Sequence, residues 1–516
     1  MASAAAAGPK PFGLDCGVPF PLADIPGAET ILLVGANLAE RMPPIMQYFE
    51  AQRRHGGNLL VADPRVTPTA RAARLHLQLT PGTDAALANG FRREPDRSRI
   101  HRGAHHGLEN ARKTAVAHWP ERVERITGVP VHQLYESARM LGRARTAMSL
   151  TARGAERQSQ SVNNLLALIN RALALGKSGK PHCGFECITG QGNSQGEAAS
   201  TGKRPISFPA TAVSRTRLRA SMSRKSGASL PLSGTSAYEM LDSARLDGGV
   251  RAMLVLGSNV AVSAPNLAHI RRRLSDLDFL VVADFFISET ARLAHVVLPS
   301  AQWAEEEGTV TNLQGRVILR RRAAMSSARV RTDLEILSML AERLGCAAAF
   351  PTEAEGVFEE LRRASAHGPA DYSGISYKRL ESQPGVFWPC PDESHPGTPR
   401  VFLDRYATPD GRARFHAVEY QPPAELPDDD YPFFLTTGRV AAHYQSGTQT
   451  RLASNSARPL RTRQPGPPDS TRAIEASGHQ GKHGLRSRCE PEIARWTDNY
   501  HDKISGFDRS RDRQFV

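Results

Sequence analysis

Long apolar runs are missing from this chain of 516 residues. None approaches the roughly 20 residues needed to span a bilayer, which excludes an integral helical membrane protein. The opening residues 1–8 have no basic n-region, no apolar h-region and no twin-Arg pair, so a secretory signal is not expected. Cysteine is scarce. The six present (Cys16, Cys183, Cys187, Cys346, Cys390 and Cys489) are too scattered for a disulfide framework, and a reducing cytoplasm is the expected compartment. Aromatic residues make up only 6% of the chain, too few to interleave with the basic residues as a stacking platform for nucleic acid would require. Several catalytic signatures are also missing. There is no Gly-x-Gly-x-x-Gly, no His-Glu-x-x-His and no nucleophile elbow, and Gly176-Lys-Ser178 has Arg171 where a P-loop requires glycine. That segment reads instead as the end of an apolar helix over 163–175. Cys183 and Cys187, beside His182, could form half a metal site, but no second pair accompanies them, and buried or free thiols are the simpler reading.

What is present is basic. The net charge is +14, and it is concentrated in three windows. Residues 91–118 hold seven basic and three acidic residues, residues 200–229 seven basic and none acidic, and residues 452–516 twelve basic and eight acidic. The remainder is close to neutral. The windows are rich in Arg, Ser, Pro, Gly and His and poor in apolar periodicity, so solvated loops and a disordered tail are expected there. Nucleic-acid binding is a distant alternative.

Between the windows the chain repeats itself. An apolar run at 31–34, a Gly35-Ala-Asn37 turn, a helix over 44–54 and a second run at 59–62 ending in Asp63 predict a βαβ crossover. A second copy runs from Met253-Leu-Val-Leu256 through Gly257-Ser-Asn259 and a helix ending near Arg273 to Phe279-Leu-Val-Val-Ala283 and Asp284. Asp63, Thr69, Arg71 and Ala73 recur 221 positions later as Asp284, Thr290, Arg292 and Ala294, whereas Gly35 and Asn37 recur after 222 as Gly257 and Asn259. The fixed spacing implies two similar substructures with one residue inserted between the turn and the acid. Ligands of parallel sheets sit beyond the carboxyl ends of the strands, where a small turn lets backbone N–H groups approach phosphate. Asp63 and Asp284 suit a ribose hydroxyl or a guanine edge, and equally a turn cap. Two units suggest two nucleotide-like groups.

An ordered series of short motifs goes further. It runs from Leu33-Val-Gly-Ala-Asn-Leu-Ala-Glu40, Val61-Ala-Asp-Pro-Arg65 and Pro81-Gly-Thr-Asp84 to Ile188-Thr-Gly-Gln-Gly-Asn193, Leu256-Gly-Ser-Asn259 and Ser288-Glu-Thr290. It continues with Glu306-Glu-Gly-Thr-Val-Thr-Asn312, Gly315-Arg316, Leu435-Thr-Thr-Gly-Arg439 and Tyr444-Gln-Ser-Gly-Thr-Gln-Thr-Arg451. Through these motifs the chain resembles the large subunit of the molybdopterin-guanine-dinucleotide oxidoreductases, and within them bacterial assimilatory nitrate reductases more than formate dehydrogenases. The resemblance implies an α/β fold of the DMSO-reductase/formate-dehydrogenase kind. Two parallel-sheet units of dinucleotide type would be followed by an incomplete C-terminal β-barrel-like domain. The first unit would comprise 1–90 and 119–199 around an aberrant insert at 91–118. A basic low-order segment would follow at 200–235, the second unit at 236–350, a connecting region at 351–425, the start of the C-terminal pterin-binding domain at 426–451, and a disordered tail at 452–516.

The implied cofactor is molybdenum bound by two molybdopterin guanine dinucleotides. By motif position, Asn37, Glu40, Asp63, Arg65 and Thr67 would meet one nucleotide end, with Gly82 and Asp84 closing that pocket. Gly257, Ser258, Asn259, Asp284, Ser288 and Thr290 would meet the other. Gln191, Asn193, Asn312, Thr436, Gly438, Arg439, His443, Tyr444, Gln445, Ser446 and Thr448 would contact pterin or pyrophosphate. Amide side chains offer paired donors and acceptors and Arg a phosphate fork, although helix capping is an ordinary role for the Ser and Thr members. The implied reaction is nitrate to nitrite, with electrons from a donor protein or reductase domain. A formate dehydrogenase-like substrate class and a non-catalytic molybdopterin-binding remnant are the alternatives.

The departures from the family matter as much. Its 4Fe-4S cysteines have no counterpart here, and its molybdenum-ligating cysteine would precede Met1-Ala-Ser-Ala. A truncated chain, inactive by itself, is therefore expected. The resemblance lapses after Gly90, Gly196 and Arg451, at the three basic windows, as translation out of frame would produce. His295 stands where the family favours Asp, and Gln314 where Glu is common.

Overall fold

The computed structural model describes residues 2–15, 17–91, 106–188, 192–193, 237–346, 350–429, 431–438, 444–449, 461–464 and 473–477. Its first sheet has five parallel strands in the order β3-β2-β1-β4-β5. These are β1 (Thr30–Val34), β2 (Asn58–Ala62), β3 (Leu75–Leu77), β4 (Ala147–Thr151) and β5 (Gly184–Cys187). The expected βαβ crossover is present. Its connection passes through a short α-helix, Leu38–Arg41, and a 3-10 turn, Pro43–Ile45, before the helix Met46–Arg54. The helix ends at His55-Gly56-Gly57.

Central strands of a parallel sheet are covered on both faces, and β1 and β2 show how. Ile31, Leu33, Leu59 and Val61 join one apolar core with Ile45, Phe49 and Met148. Leu32, Val34, Leu60 and Ala62 join another with the helix Ser161–Ala174 and with residues of the connecting region. That region wraps back over the first unit. Phe402 and Tyr406 pack on Phe12, and Arg400 grips the buried Asp24 with both nitrogens at 2.6 and 2.8 Å.

The second unit is a parallel sheet in the order β6-β7-β8, formed by Ala252–Leu256, Phe279–Asp284 and Val296–Pro299. Met253, Val255, Leu280 and Val282 pack on Ile270 and Leu274 of the helix Leu267–Ser275, as their repeat counterparts do in the first unit. The opposite face differs. Leu32 is fully buried, whereas its counterpart Leu254 is 38% exposed and Phe279 is 47% exposed. Strand β1 carries β4 on its free side, while β6 pairs only with β7 among the described strands.

A hairpin of β9 (Gly308–Thr311) and β10 (Arg316–Arg320), extended by β11 (Val386–Phe387), docks its tip on the first unit. There Val18 donates to the Leu313 carbonyl and Leu22 N–H to Gln314 Oε1 at 2.8 Å. The amide at Gln314 thus serves as an acceptor for backbone. His295, the other departure from the family pattern, accepts from Leu280 N–H through Nδ1 at 2.9 Å and helps to join β7 to β8.

Parts of two of the windows are described. Within the insert expected at 91–118, residues 108–116 form the helix Leu108–Val116, because Leu108 and Ala111 fall on one face and reach the first unit's core. Within the tail expected to be disordered, β13 (Arg461–Gln464) and β14 (Ala473–Ser477) pair with each other, and β14 runs parallel to β12 (Phe434–Gly438). Backbone pairing onto an existing strand supplies there the hydrogen bonds that composition alone does not promise. The rest of these windows lies outside the described residues.

Candidate functional site

The repeat is reproduced in the hydrogen bonds at the strand ends. After β1, Gly35 N–H donates to the Ala62 carbonyl at 2.8 Å. After β6, Gly257 N–H donates to Ala283 at 2.9 Å. Both glycines have positive φ, +62° and +53°, where a side chain would be strained. A Cβ on Gly35 would lie 2.7 Å from Ala155 N, whereas one on Gly257 would meet no atom of the described residues within 4 Å. Among the described residues, protein seals the first turn and leaves the second open.

The asparagine that follows is clasped by a threonine in each unit. Thr69 donates to Asn37 Oδ1 at 3.0 Å and accepts from Ala39 N–H at 3.0 Å. Thr290 donates to Asn259 Oδ1 at 2.9 Å and accepts from Ala261 N–H at 3.0 Å. All four side chains are buried. The amide oxygens are therefore occupied within the protein. Each Nδ2 donates to a carboxylate at 2.6 Å, Glu40 in the first unit and Glu289 in the second. The reading of the sequence overlooked Glu289. The repeat gave no signal for it, because the position 222 after Glu40 is Val262.

The acids close equivalent turns. Asp63 Oδ1 accepts from Arg65 N–H at 2.9 Å, and Asp284 Oδ1 from Phe286 N–H at 3.3 Å. Thr67 and Ser288 then cap the next turn, accepting from Ala70 and Ala291 N–H. Arg65 Nε also lies 3.7 Å from Asp63 Oδ1. Asp84, at the start of the helix Asp84–Gly90, is buried close enough to Asp63 to feel its charge. Burial first, and that charge second, push its carboxyl up to about 6. Gly82, with φ +83°, stands against Pro423 of the connecting region. Around Asp284 the field is acidic too, since burial together with Glu306 and Asp284 raises the Asp333 carboxyl.

The C-terminal motif reaches the second unit. Thr448 Oγ1 accepts from Asn259 Nδ2 at 2.9 Å and lies 3.0 Å from Ser446 Oγ. Gln445 has φ +53° in that turn, and Tyr444 is exposed. Thr436, on β12, has a buried hydroxyl with no partner, and Gly438 ends that strand. Ser258 lies half-buried between Gly257 and Asn259. Asn193 and Asn312 are adjacent but committed to the hairpin. Asn193 Oδ1 accepts from Thr311 N–H, and Asn312 Oδ1 from Gln314 and Arg316 N–H. Gln191, Arg439 and His443 lie outside the described residues.

The structure thus brings the candidates to two strand-end clusters, one of which is joined by the C-terminal turn. A family model of the molybdopterin oxidoreductases matches residues 2–343. The chain belongs to the molybdopterin oxidoreductase family. It is 40% identical over 466 residues to the assimilatory nitrate reductase catalytic subunit of Bacillus subtilis, covering 88% of this chain and 65% of that protein. It is 36% identical over 439 residues to the F420-dependent formate dehydrogenase subunit alpha of Methanocaldococcus jannaschii, covering 84% and 64%. The chain spans just under two thirds of these relatives. Acetylene hydratase from Pelobacter acetylenicus shares the fold, with a TM-score of 0.68 at 17% identity, covering 95% of this chain and 75% of that one.

Family membership implies a molybdenum cofactor, and the described residues fit its organic part. Among the described residues Thr436 holds an unpartnered buried hydroxyl and the Gly257 turn is open, and Asp63 and Asp284 stand at the strand ends. Among the described residues no group of three His, Cys, Asp or Glu side chains could hold a metal ion. Cys183 and Cys187 are free, buried thiols. The thiol of Cys187 donates to Glu156 at 2.5 Å, and burial followed by that carboxylate raises its pKa. No helix of the described residues is long and apolar enough to cross a membrane.

Proposed function

We propose that this chain holds the two guanine dinucleotide tails of a bis-molybdopterin cofactor, in a cytoplasmic nitrate reductase that converts nitrate to nitrite. The observation that carries this reading is the duplicated strand end, in which glycine turn, clasped asparagine, acid and capping hydroxyl recur in the same order and with the same hydrogen bonds. Two equivalent turns suit two equivalent ligand ends. Asp63 and Asp284 would accept from the N–H edge of guanine, and Thr436 and the Gly257 turn would meet pyrophosphate or pterin. When bound, the molybdenum cofactor supplies the two-electron oxygen-atom chemistry. The residues of this chain bind and orient it. Electrons would come from a donor protein or a reductase domain, and any 4Fe-4S relay would need cysteines outside the described residues.

The stronger resemblance to nitrate reductase than to formate dehydrogenase favours nitrate as substrate. The occupied amide oxygens of Asn37 and Asn259 favour a second reading, a cofactor-binding remnant without turnover, because these groups already serve the protein. Purified protein should release GMP on acid hydrolysis and carry molybdenum, and an assay of nitrate reduction with reduced methyl viologen separates a working reductase from a remnant. Protein lacking both GMP and molybdenum would defeat the proposal. Cofactor without turnover on nitrate would leave the second reading.

A further inference from the structure

We propose that the two strand ends read their guanine-bearing ligands unequally, through the guanidinium of Arg65 in the first unit and the ring of Phe286 in the second. This rests on the reading above that both units hold guanine. Residues 63, 67 and 69 correspond to 284, 288 and 290, so Arg65 and Phe286 share one place in the repeat. The backbone confirms it, because each donates its N–H to the acid two residues earlier. The two side chains therefore leave equivalent turns from the same position. Both are half-buried.

Their chemistry is opposite. Arg65 places a cation 3.7 Å from Asp63, beside the buried Asp84. A guanine there can donate its N1–H and N2–H to a carboxylate while its O6 and N7 accept from a guanidinium, and few other bases satisfy both. The equivalent position in the second turn is Phe286 and holds no cation. That turn carries two adjacent aromatic rings, Phe285 and Phe286, 5.2 Å between centroids, with Asp284, Glu306 and Asp333 nearby. A base there is held by its donor edge and by stacking, which tolerates other purines. An ionic fork weakens with salt, and a stacking ring does not.

The test is calorimetric titration of the full chain with GDP at low and high salt, using wild type, R65A, R65K, F286A and F286W. Two classes of site are expected. R65A should weaken one class about tenfold and reduce its salt dependence relative to wild type, with R65K intermediate, since a good guanidinium–guanine pair is worth roughly 1–3 kcal/mol. F286A should weaken the other class about tenfold at both salts, and F286W should restore it. Two classes indifferent to both substitutions, or both substitutions striking one class, would overturn this inference alone. Failure of the wild type to bind GDP would overturn the guanine reading and this inference with it.

Discussion

Leu32 and Leu254 occupy the same place in the repeat and should respond oppositely to truncation. Leu32 is fully buried between β1 and the helix-covered core. Its change to Ala removes that packing and leaves a cavity, a loss of about 2–5 kcal/mol. Leu254 is already 38% exposed on the open face of β6. Full burial of the three carbons lost on truncation is worth about 2.4 kcal/mol, so at this exposure the loss is about 1.5 kcal/mol at most, with no cavity to add. The opposite face provides the control. Leu33 and Val255 are both buried, and truncating either to Ala should be costly. Whole-protein melting is a poor readout, since a chain of several units need not unfold in one step. Hydrogen exchange followed by mass spectrometry on peptides spanning β1 and β6 reports each sheet separately. Protection should fall sharply for Leu32→Ala, Leu33→Ala and Val255→Ala, and little for Leu254→Ala. If Leu254→Ala matches Leu32→Ala, the outer face of the second sheet is covered, and the asymmetry drawn between the units is wrong.

The clasp gives a second expectation. Thr69→Val strands the buried Asn37 Oδ1 and should cost about 1–3 kcal/mol, while Thr69→Ser, which keeps the hydroxyl, should recover most of it; exchange of the Ala39 amide is the measure. The third concerns pH. The Asp84 carboxyl titrates at about 6 in the folded chain against an ordinary 3.8, so the native state holds a proton that the unfolded state has released. Its contribution therefore turns against folding as pH rises from about 4 to 6, by about 3 kcal/mol in all. Asp84→Asn should raise the protection of the helix Asp84–Gly90 at neutral pH and flatten this slope, as hydrogen exchange corrected for intrinsic rates would show across that range.

Much of the second-unit geometry was legible in the sequence because the repeat is a constraint on spacing. The strands at 31–34, 59–62, 253–256 and 279–283 are found within one residue at each end, since unbroken apolar runs bounded by Gly and Asp leave little choice. The inserted residue is absorbed where the first unit makes its Pro43–Ile45 turn, while the second passes through Pro265 and Asn266, the latter at φ +51°. The pairing inside the repeat was less legible. The recurrence of Asn37 and Thr69 as Asn259 and Thr290 fits a ligand contact and an internal clasp equally well, and only coordinates show that the threonine hydroxyl takes the amide oxygen. Glu289 was invisible for a related reason. It does the work of Glu40 from the next loop, so the function recurs in space without recurring in register. Burial was the least legible property. Leu32 and Leu254 are the same residue in the same pattern, and one lies in a core while the other faces solvent. What separates them is whether a helix and the connecting region pack over that face of the sheet, a long-range contact that local periodicity does not encode. Duplication therefore identifies the shared chemistry of the two strand ends. It cannot by itself say which of its residues bind a ligand, because the same atoms that would recognise guanine also hold the turns in shape.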